Sequence, residues 1–95
     1  MNKSELIEAL AEKIDVPIRE ATSITNTIIN AMTEALARGE SIEIRGFGSF
    51  VVKEYDSYIG RNPKTGEKIK VAPKKLPFFK VGKDLREKVN KNRPT

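Results

Sequence analysis

The sequence contains no cysteine, no histidine and no tryptophan. Without cysteine, the chain has no disulfide, no thiolate zinc site and no thiol nucleophile. Without histidine, the Ser-His-Asp triad, the imidazole general base and most transition-metal sites are excluded. No apolar run approaches the roughly 18–20 residues of a membrane-spanning helix, and no signal-peptide pattern opens the chain. We therefore expect a cytoplasmic protein that uses no metal ion and no organic cofactor.

The charge that is present is basic and unevenly distributed. The 95 residues include 18 Lys and Arg against 13 Asp and Glu, which gives a formal net charge of +5. Residues 1–40 hold four basic and seven acidic side chains, whereas residues 41–95 hold fourteen basic and six acidic ones. A basic half of this kind favours a polyanionic partner. We expect the acidic half to fold and assemble, and the basic half to contact the polyanion.

The acidic half has the pattern of a helical hairpin. Asn2 and Glu5 have the spacing of a capping box at the start of a first helix. The apolar residues that follow lie on one helical face. Pro17 suits the first turn of a second amphipathic helix, and Gly39 is a plausible stop after it. The sequence therefore predicts two helices joined by a short turn.

After residue 41 the apolar period changes from that of a helix to that of a strand. Ile42–Ile44 is predicted as a first strand, with Glu43 and Arg45 pointing away from the core. Gly46-Phe47-Gly48 follows as a turn in which two glycines free the backbone. A second strand is predicted from Ser49 to about Tyr58.

The rest of the basic half completes a sheet and adds a helix. Lys68–Val71 alternates and is predicted as a returning strand. Leu76–Phe79 is apolar, and Pro77 assigns it to a sheet edge or a bulge. Gly82 to about Asn90 is predicted as a short helix, and Arg93–Thr95 as a loose tail.

Residues 53–75 form a basic segment with little apolar content. It has seven basic residues against three acidic ones and contains no Phe or Leu. Such a segment fits a two-stranded ribbon that projects into solvent. The single domain then divides into a body, residues 1–52 and 76–95, and an arm, residues 53–75.

The body is too small to cover its own apolar surface. A chain of this length has a marginal core, and two helices over a three-stranded sheet leave one apolar side open. We therefore predict a symmetric dimer with one shared core and two arms. The phenylalanines expected to pack in this core are Phe47, Phe50, Phe78 and Phe79.

Two enzymatic interpretations are weaker than nucleic-acid binding. Gly60–Gly66 has five residues between its glycines, and Glu67 follows where a phosphate-binding loop requires Lys. Glu43, Glu54 and Asp56 could hold Mg²⁺ for phosphoryl transfer. Each of these acids has basic neighbours, however, so solvated or ion-paired charges are favoured.

The predicted tip of the ribbon carries the most specific chemistry. Pro63 is either a turn former or an apolar wedge that enters between base pairs and kinks a duplex. Arg61 and Asn62 suit a minor groove, where such side chains respond to its width and acceptors. Tyr55 and Tyr58 either touch a sugar or groove edge or pack across the ribbon.

Two stretches and the order of elements resemble the HU/IHF family of bacterial DNA-bending proteins. The stretches are Gly46-Phe47-Gly48-Ser49-Phe50 and Gly60-Arg61-Asn62-Pro63-Lys64-Thr65-Gly66. The resemblance implies an α+β fold, in which a helical hairpin precedes a three-stranded antiparallel sheet extended into a long β-ribbon arm, and a short C-terminal helix follows. It also implies an intertwined dimer, either a homodimer or a heterodimer with a paralogue.

The resemblance further implies a non-catalytic role in compacting and organising the bacterial nucleoid. The arms would embrace double-stranded DNA through the minor groove, and Pro63 would intercalate. No membrane and no small-molecule substrate are expected. The other predicted DNA contacts are Lys3, Arg45, Lys53, Tyr55, Tyr58, Arg61, Asn62, Lys64, Lys75, Lys80 and Lys83.

The sequence departs from the family pattern at a few positions. Tyr55 and Tyr58 occupy arm positions that are often basic or small and polar in the family, which implies a phosphate grip that is either weaker or partly replaced by packing. Val81 stands where the family usually has Pro, which affects only the entry to the last helix. Ile42-Glu43-Ile44-Arg45 looks like the β subunit of IHF, the branch with sequence preference.

Two functions therefore stay open. The first is an HU-like, largely non-sequence-specific architectural binder that acts as a homodimer. The second is an IHF-like, sequence-preferring bender that acts with a second subunit. We favour the first because the chain reveals no obligate partner.

Overall fold

The structure is a computed structural model that describes residues 1–91; the predicted tail Arg93–Thr95 lies outside the described residues. No helix in this range combines the length and the apolarity needed to cross a membrane. The elements in chain order are α1 (Lys3–Ile14), α2 (Ile18–Ala37), β1 (Ile42–Ile44), β2 (Gly48–Tyr55), β3 (Tyr58–Arg61), β4 (Lys68–Val71), β5 (Lys74–Val81) and α3 (Lys83–Lys91). This order confirms the predicted α+β fold.

The helical hairpin begins with the predicted capping box. The Asn2 side chain accepts a hydrogen bond from the Glu5 N–H at 2.9 Å, and the Glu5 carboxylate accepts one from the Asn2 N–H at 3.3 Å. Pro17 is the N-cap of α2, one position earlier than expected. Gly39 follows the helix end with φ of 84°, a left-handed conformation that glycine adopts without strain.

The core of a single chain is small. Ile7, Ala11 and Ala21 are buried between α1 and α2, with Leu10 and Val16 packed against them. Within residues 1–91 no large side chain is fully buried. The radius of gyration is 19.1 Å, compared with about 12–13 Å for a compact domain of this length. The chain is therefore extended and leaves apolar surface open.

The body sheet has the strand order β1-β2-β5, and all its pairings are antiparallel. Phe50 lies opposite Phe79 with ring centroids 4.8 Å apart, and Phe47 lies 5.6 Å from Phe79. Val52 and Pro77 line a groove with α2. This side is the inner face of the sheet. Pro77 lies on β5, an edge strand of the sheet, as predicted.

The prediction that all four phenylalanines pack in the core is wrong for Phe78. Neighbouring residues in a strand point to opposite faces, so Phe78 lies on the other side of the sheet from Phe79. It pairs with Val51, and 42% of its surface is exposed. The Lys53 ammonium lies 3.7 Å above the centre of the Phe78 ring.

The ribbon is a separate two-stranded ladder rather than a continuation of β2. The strand predicted from Ser49 to Tyr58 stops at Tyr55, and β3 begins at Tyr58. On the second side of the hairpin, residues 72–73 separate β4 from β5. Pro73 has no N–H to donate to a ladder. Each strand therefore skips two residues, so the register continues in phase from Tyr55↔Lys74 to Tyr58↔Val71.

The turn after β1 anchors the last helix. The Gly82 N–H donates to the Phe47 carbonyl at 2.8 Å, and the Leu85 N–H donates to the Gly46 carbonyl at 3.0 Å. Arg45 belongs to this turn, because β1 ends at Ile44. Strand alternation therefore does not extend to Arg45, but Arg45 is exposed, which agrees with the prediction that it points away from the core.

Candidate nucleic-acid interface

Strand alternation divides the sheet and the ribbon into two faces. We call the side opposite to α2, together with its in-phase continuation along the ribbon, the outer face. The Lys53–Phe78 contact marks this face in the body. We assign the ribbon residues to it by continuing the alternation over the two residues that each strand skips. Its members are Glu43, Ser49, Val51, Lys53, Tyr55, Ile59, Arg61, Lys68, Lys70, Lys74, Leu76, Phe78 and Lys80.

The outer face is strongly basic. Six of its residues are cationic: Lys53, Arg61, Lys68, Lys70, Lys74 and Lys80. Glu43 on β1 is its single carboxylate among the strands of the structure. All seven side chains belong to exposed residues. The cations follow both strands from the body towards the ribbon tip, which is the distribution expected of a surface that tracks a phosphate backbone.

The opposite face of the ribbon is apolar. Tyr58 pairs with Val71, and Gly60 pairs with Ile69. A Cβ atom at Gly60 would lie 3.5 Å from both the Tyr58 ring and a Val71 methyl, so these three residues share one side. The two tyrosines considered together in the sequence therefore lie on different faces, since Tyr55 is on the outer one.

Lys75 lies on the inner side, away from the other arm lysines. It pairs with Glu54 in the ladder, and its ammonium lies 3.4 Å from the Glu54 carboxylate. Both side chains are largely exposed to solvent, so the ion pair contributes little to stability. Its sequence neighbour Lys74 points to the outer face. A DNA contact by Lys75 stays a prediction.

The ribbon tip is a tight loop organised by Asn62. The Asn62 N–H donates to the Glu67 carbonyl at 2.8 Å, and the Gly66 N–H donates to the Asn62 carbonyl at 2.7 Å. The Asn62 side chain accepts from the Lys64 N–H at 2.8 Å. Gly66 has φ of 75°, which favours glycine at this position.

These hydrogen bonds leave Pro63 exposed at the apex of the loop. Because the Asn62 side chain spans Pro63 to reach the Lys64 amide, it holds the proline outward. Asn62 therefore has a structural task in the loop in addition to the groove contact predicted for it. Arg61, which precedes Asn62, and Lys64, which follows Pro63, are both exposed.

Three further predicted contacts lie outside both the strands and the ribbon tip. Arg45 is in the turn after β1, and Lys83 is the first residue of α3. Since α3 begins against that turn, the structure brings these two segments to the same end of the body. Lys3 is the first residue of α1.

Lys68, Lys70 and Lys74 were not predicted from the sequence as individual contacts. The sequence nevertheless contained a signal that would have assigned these lysines to a face of the ribbon. The ribbon is symmetric about the Lys64–Thr65 bond, because Arg61 pairs with Lys68 and Tyr58 with Val71. Counting outward from a tip centred on this bond assigns each lysine to a face.

The carboxylates considered for Mg²⁺ do not form one site. Glu43 lies on the outer face and Glu54 on the inner one. In the range covered by the structure, no three acidic side chains gather closely enough to hold a metal ion.

Comparisons with known proteins match this geometry. The family model of the bacterial DNA-binding protein family matches residues 1–90. Integration host factor subunit beta from Cupriavidus pinatubonensis is 50% identical over 93 residues, which are 97% of this chain and 68% of the relative. The same subunit from Histophilus somni is 50% identical over 91 residues, with 95% of this chain and 97% of the relative covered.

Two of the solved structures with the same fold are HU proteins. Anabaena HU in a cocrystal with DNA aligns with a TM-score of 0.86 at 40% identity, covering 94% of this chain and 97% of that one. HU from Thermotoga maritima aligns with a TM-score of 0.67 at 38% identity, covering 94% and 98%. The chain therefore belongs to the HU/IHF family of bacterial architectural DNA-binding proteins.

Proposed function

We propose that the chain binds and bends duplex DNA as a homodimer with little sequence selectivity, and that it organises the nucleoid in the bacterial cytoplasm without catalysing a reaction. The observation that carries this proposal is the basic outer face, which runs in phase from the body sheet to the ribbon tip. A cationic surface of this kind binds through phosphates, which are the same in every sequence.

The proposal gives body and arm different tasks. The body, residues 1–52 and 76–95, forms the dimer interface. Its outer face contributes Lys80 to the basic DNA-binding surface, and Lys53 at the base of the arm extends that surface. The arm, residues 53–75, reaches around the duplex with Arg61, Lys64 and the outer-face lysines. Arg45 and Lys83 extend the contact at the end of the body, while Lys3 on α1 supplies a more distant one. Tyr55 adds an outer-face contact, and Tyr58 packs under the ribbon.

Dimerisation is supported by the apolar surface of the single chain. Ile28 is 55% exposed, Phe47 is 45% exposed and Phe79 is 39% exposed. Phe47 and Phe79 belong to an aromatic cluster with Phe50 that would otherwise form the centre of a core. Fully burying such a side chain is favourable by roughly 1.5–3 kcal/mol, so covering the half that is still exposed contributes about 1 kcal/mol each. A second copy of this chain offers the matching surface in a symmetric dimer.

We expect the purified chain to be a folded dimer at low micromolar concentration. Its unfolding midpoint should rise with protein concentration, because folding and association are linked. Analytical ultracentrifugation gives the mass, and circular dichroism at several concentrations gives the midpoint. A stable folded monomer would contradict the shared core.

Repeating these measurements with an added paralogue, and comparing binding to unrelated duplexes, distinguishes the second candidate function. The 50% identity to IHF beta subunits favours an IHF-like bender that works with a different subunit. A chain that folds only when a paralogue is added would support that candidate. A chain that forms a folded dimer and binds unrelated duplexes equally well would support the HU-like proposal.

Bending is assigned to Pro63. An apolar wedge at the apex unstacks neighbouring bases and kinks the duplex, whereas Arg61 and the lysines supply most of the attraction. We therefore expect Pro63→Ala to reduce the bend angle, measured by energy transfer between the duplex ends, while binding at low salt changes less. Lys64→Gln is a matched control at the same tip that keeps the wedge. An unchanged bend angle in Pro63→Ala would mean that the proline only shapes the loop.

A further inference from the structure

The basic outer face contains an apolar island. Val51 and Phe78 pair across β2 and β5, and Leu76 pairs with Lys53 beside them. Leu76 is 44% exposed, similar to Phe78. These three side chains are on the side of the sheet opposite to α2, and Leu76 and Phe78 are exposed there. The cations Lys53, Lys74 and Lys80 lie on the same face around the island.

Lys53 does not extend freely into solvent from this island. Its ammonium is 3.7 Å from the Phe78 ring centre, within the range of a cation–π interaction. Lys53 and Phe78 are diagonal neighbours on adjacent strands, since Lys53 pairs with Leu76. The ring therefore restricts a long side chain that otherwise loses much conformational freedom when it binds.

A ring and an ammonium held together match the chemistry of the DNA backbone. Each nucleotide presents an apolar deoxyribose next to an anionic phosphate. A protein surface that tracks this repeat needs an apolar contact and a cation side by side. The island supplies the first, and the surrounding lysines supply the second.

We propose that Phe78 and Lys53 form one DNA-backbone contact, in which the ring packs against deoxyribose and the ammonium above it pairs with the adjacent phosphate. The inference deepens the proposed function and rests on it. Phe78 contacts the DNA and also acts as a positioning residue for Lys53. The occupant of the island is thus the sugar-phosphate backbone of duplex DNA.

The two residues should affect binding in different ways. We expect Phe78→Ala to weaken binding about three- to tenfold at every salt concentration, since an exposed cation–π pair and a small apolar contact are each modest. The slope of log K against log salt should stay the same, because Lys53 still neutralises its phosphate. Lys53→Gln should instead make the slope shallower by about 0.9 for each phosphate that the variant no longer neutralises.

The experiment is fluorescence anisotropy of a labelled duplex at several salt concentrations. The proteins are the wild type, Phe78→Ala, Phe78→Leu, Lys53→Gln and the double variant Phe78→Ala/Lys53→Gln. Leucine keeps apolar bulk without an aromatic face, so Phe78→Leu should bind between the wild type and Phe78→Ala. Val89→Ala, an exposed apolar residue of α3 outside this face, is the control and should bind like the wild type.

A double-mutant cycle tests whether Phe78 and Lys53 act together in binding DNA. If the ring positions the ammonium, Phe78→Ala should cost less in the Lys53→Gln background than in the wild type. Additive effects would overturn the coupling. Unchanged affinity of Phe78→Ala would overturn the sugar contact.

Sedimentation of each variant separates DNA contact from assembly. A higher dissociation concentration for the Phe78→Ala dimer, with unchanged affinity per dimer, would assign the island to a protein interface and overturn the proposal. Failure of the wild type to bind duplex DNA would instead overturn the proposed function. The two failures are therefore distinguishable.

Discussion

Raising the salt concentration from about 50 to about 200 mM is expected to weaken DNA binding by roughly 10³- to 10⁵-fold. This range applies if the dimer neutralises roughly 6–10 phosphates, each of which releases counterions and contributes about −0.9 to the slope of log K against log salt. The outer face supplies enough cations, since two copies are present in the dimer. Titration of a labelled duplex at several salt concentrations measures the slope. A nearly flat salt dependence would contradict the electrostatic basis of the proposal.

Two adjacent lysines provide an internal control for this prediction. Lys74 lies on the outer face, whereas Lys75 lies on the inner face next to Glu54 at 3.4 Å. Lys74→Gln should make the dimer's slope shallower by up to roughly 1.8, which corresponds to two phosphates at about 0.9 each. Lys75→Gln should change it less. The same change in both variants would show that the face assignment does not govern binding.

Replacing Gly48 with alanine is expected to destabilise the folded protein severely. A Cβ atom at this position would lie 2.5 Å from the Phe79 ring and 2.5 Å from the Lys80 carbonyl oxygen. Gly48 pairs with Val81 on the neighbouring strand, so relief requires breaking the β2–β5 ladder or moving the aromatic cluster. We expect a loss of about 3–5 kcal/mol in the free energy of unfolding, as for severe overpacking. Urea unfolding at fixed protein concentration measures this loss.

Gly60→Ala is the matched control for this glycine. Its added Cβ would meet Tyr58 and Val71 at 3.5 Å, an ordinary van der Waals distance. We expect a change within about 0.5 kcal/mol, as for most surface substitutions. Wild-type stability in Gly48→Ala would mean that the sheet tolerates a wider spacing at the Phe79 ring.

Local signals in the sequence were sufficient for the first two helices of this fold. The capping box of Asn2 and Glu5 marked the start of α1, and Gly39 marked the end of α2. Both signals act within one turn of backbone, so no tertiary information is needed to interpret them. The basic ribbon was predicted for a similar reason, since its composition excludes it from a core.

Register was harder to predict, because it depends on the pairing of distant strands. Phe78 and Phe79 are adjacent in a strand, so one of them had to face away from the core. Which one does so follows from the pairing of β5 with β2. The interruption before β3 likewise depends on both sides of the hairpin. Pro73, which precedes β5, lies across from the end of β2. The Lys53–Phe78 contact could not be seen without this register.

The in-phase interruption restricts how such an arm can change in length. Adding one residue to each strand between the body and the tip would preserve the pairing but rotate every residue beyond it to the opposite face. Arg61, Lys68 and Lys70 would then turn away from the outer face proposed to bind DNA, while Tyr58 and Ile69 would lie on it. Viable insertions or deletions must therefore come as two residues per strand. Each such step moves Pro63 by about 7 Å along the ribbon. The length of the arm can therefore change only in steps of this size.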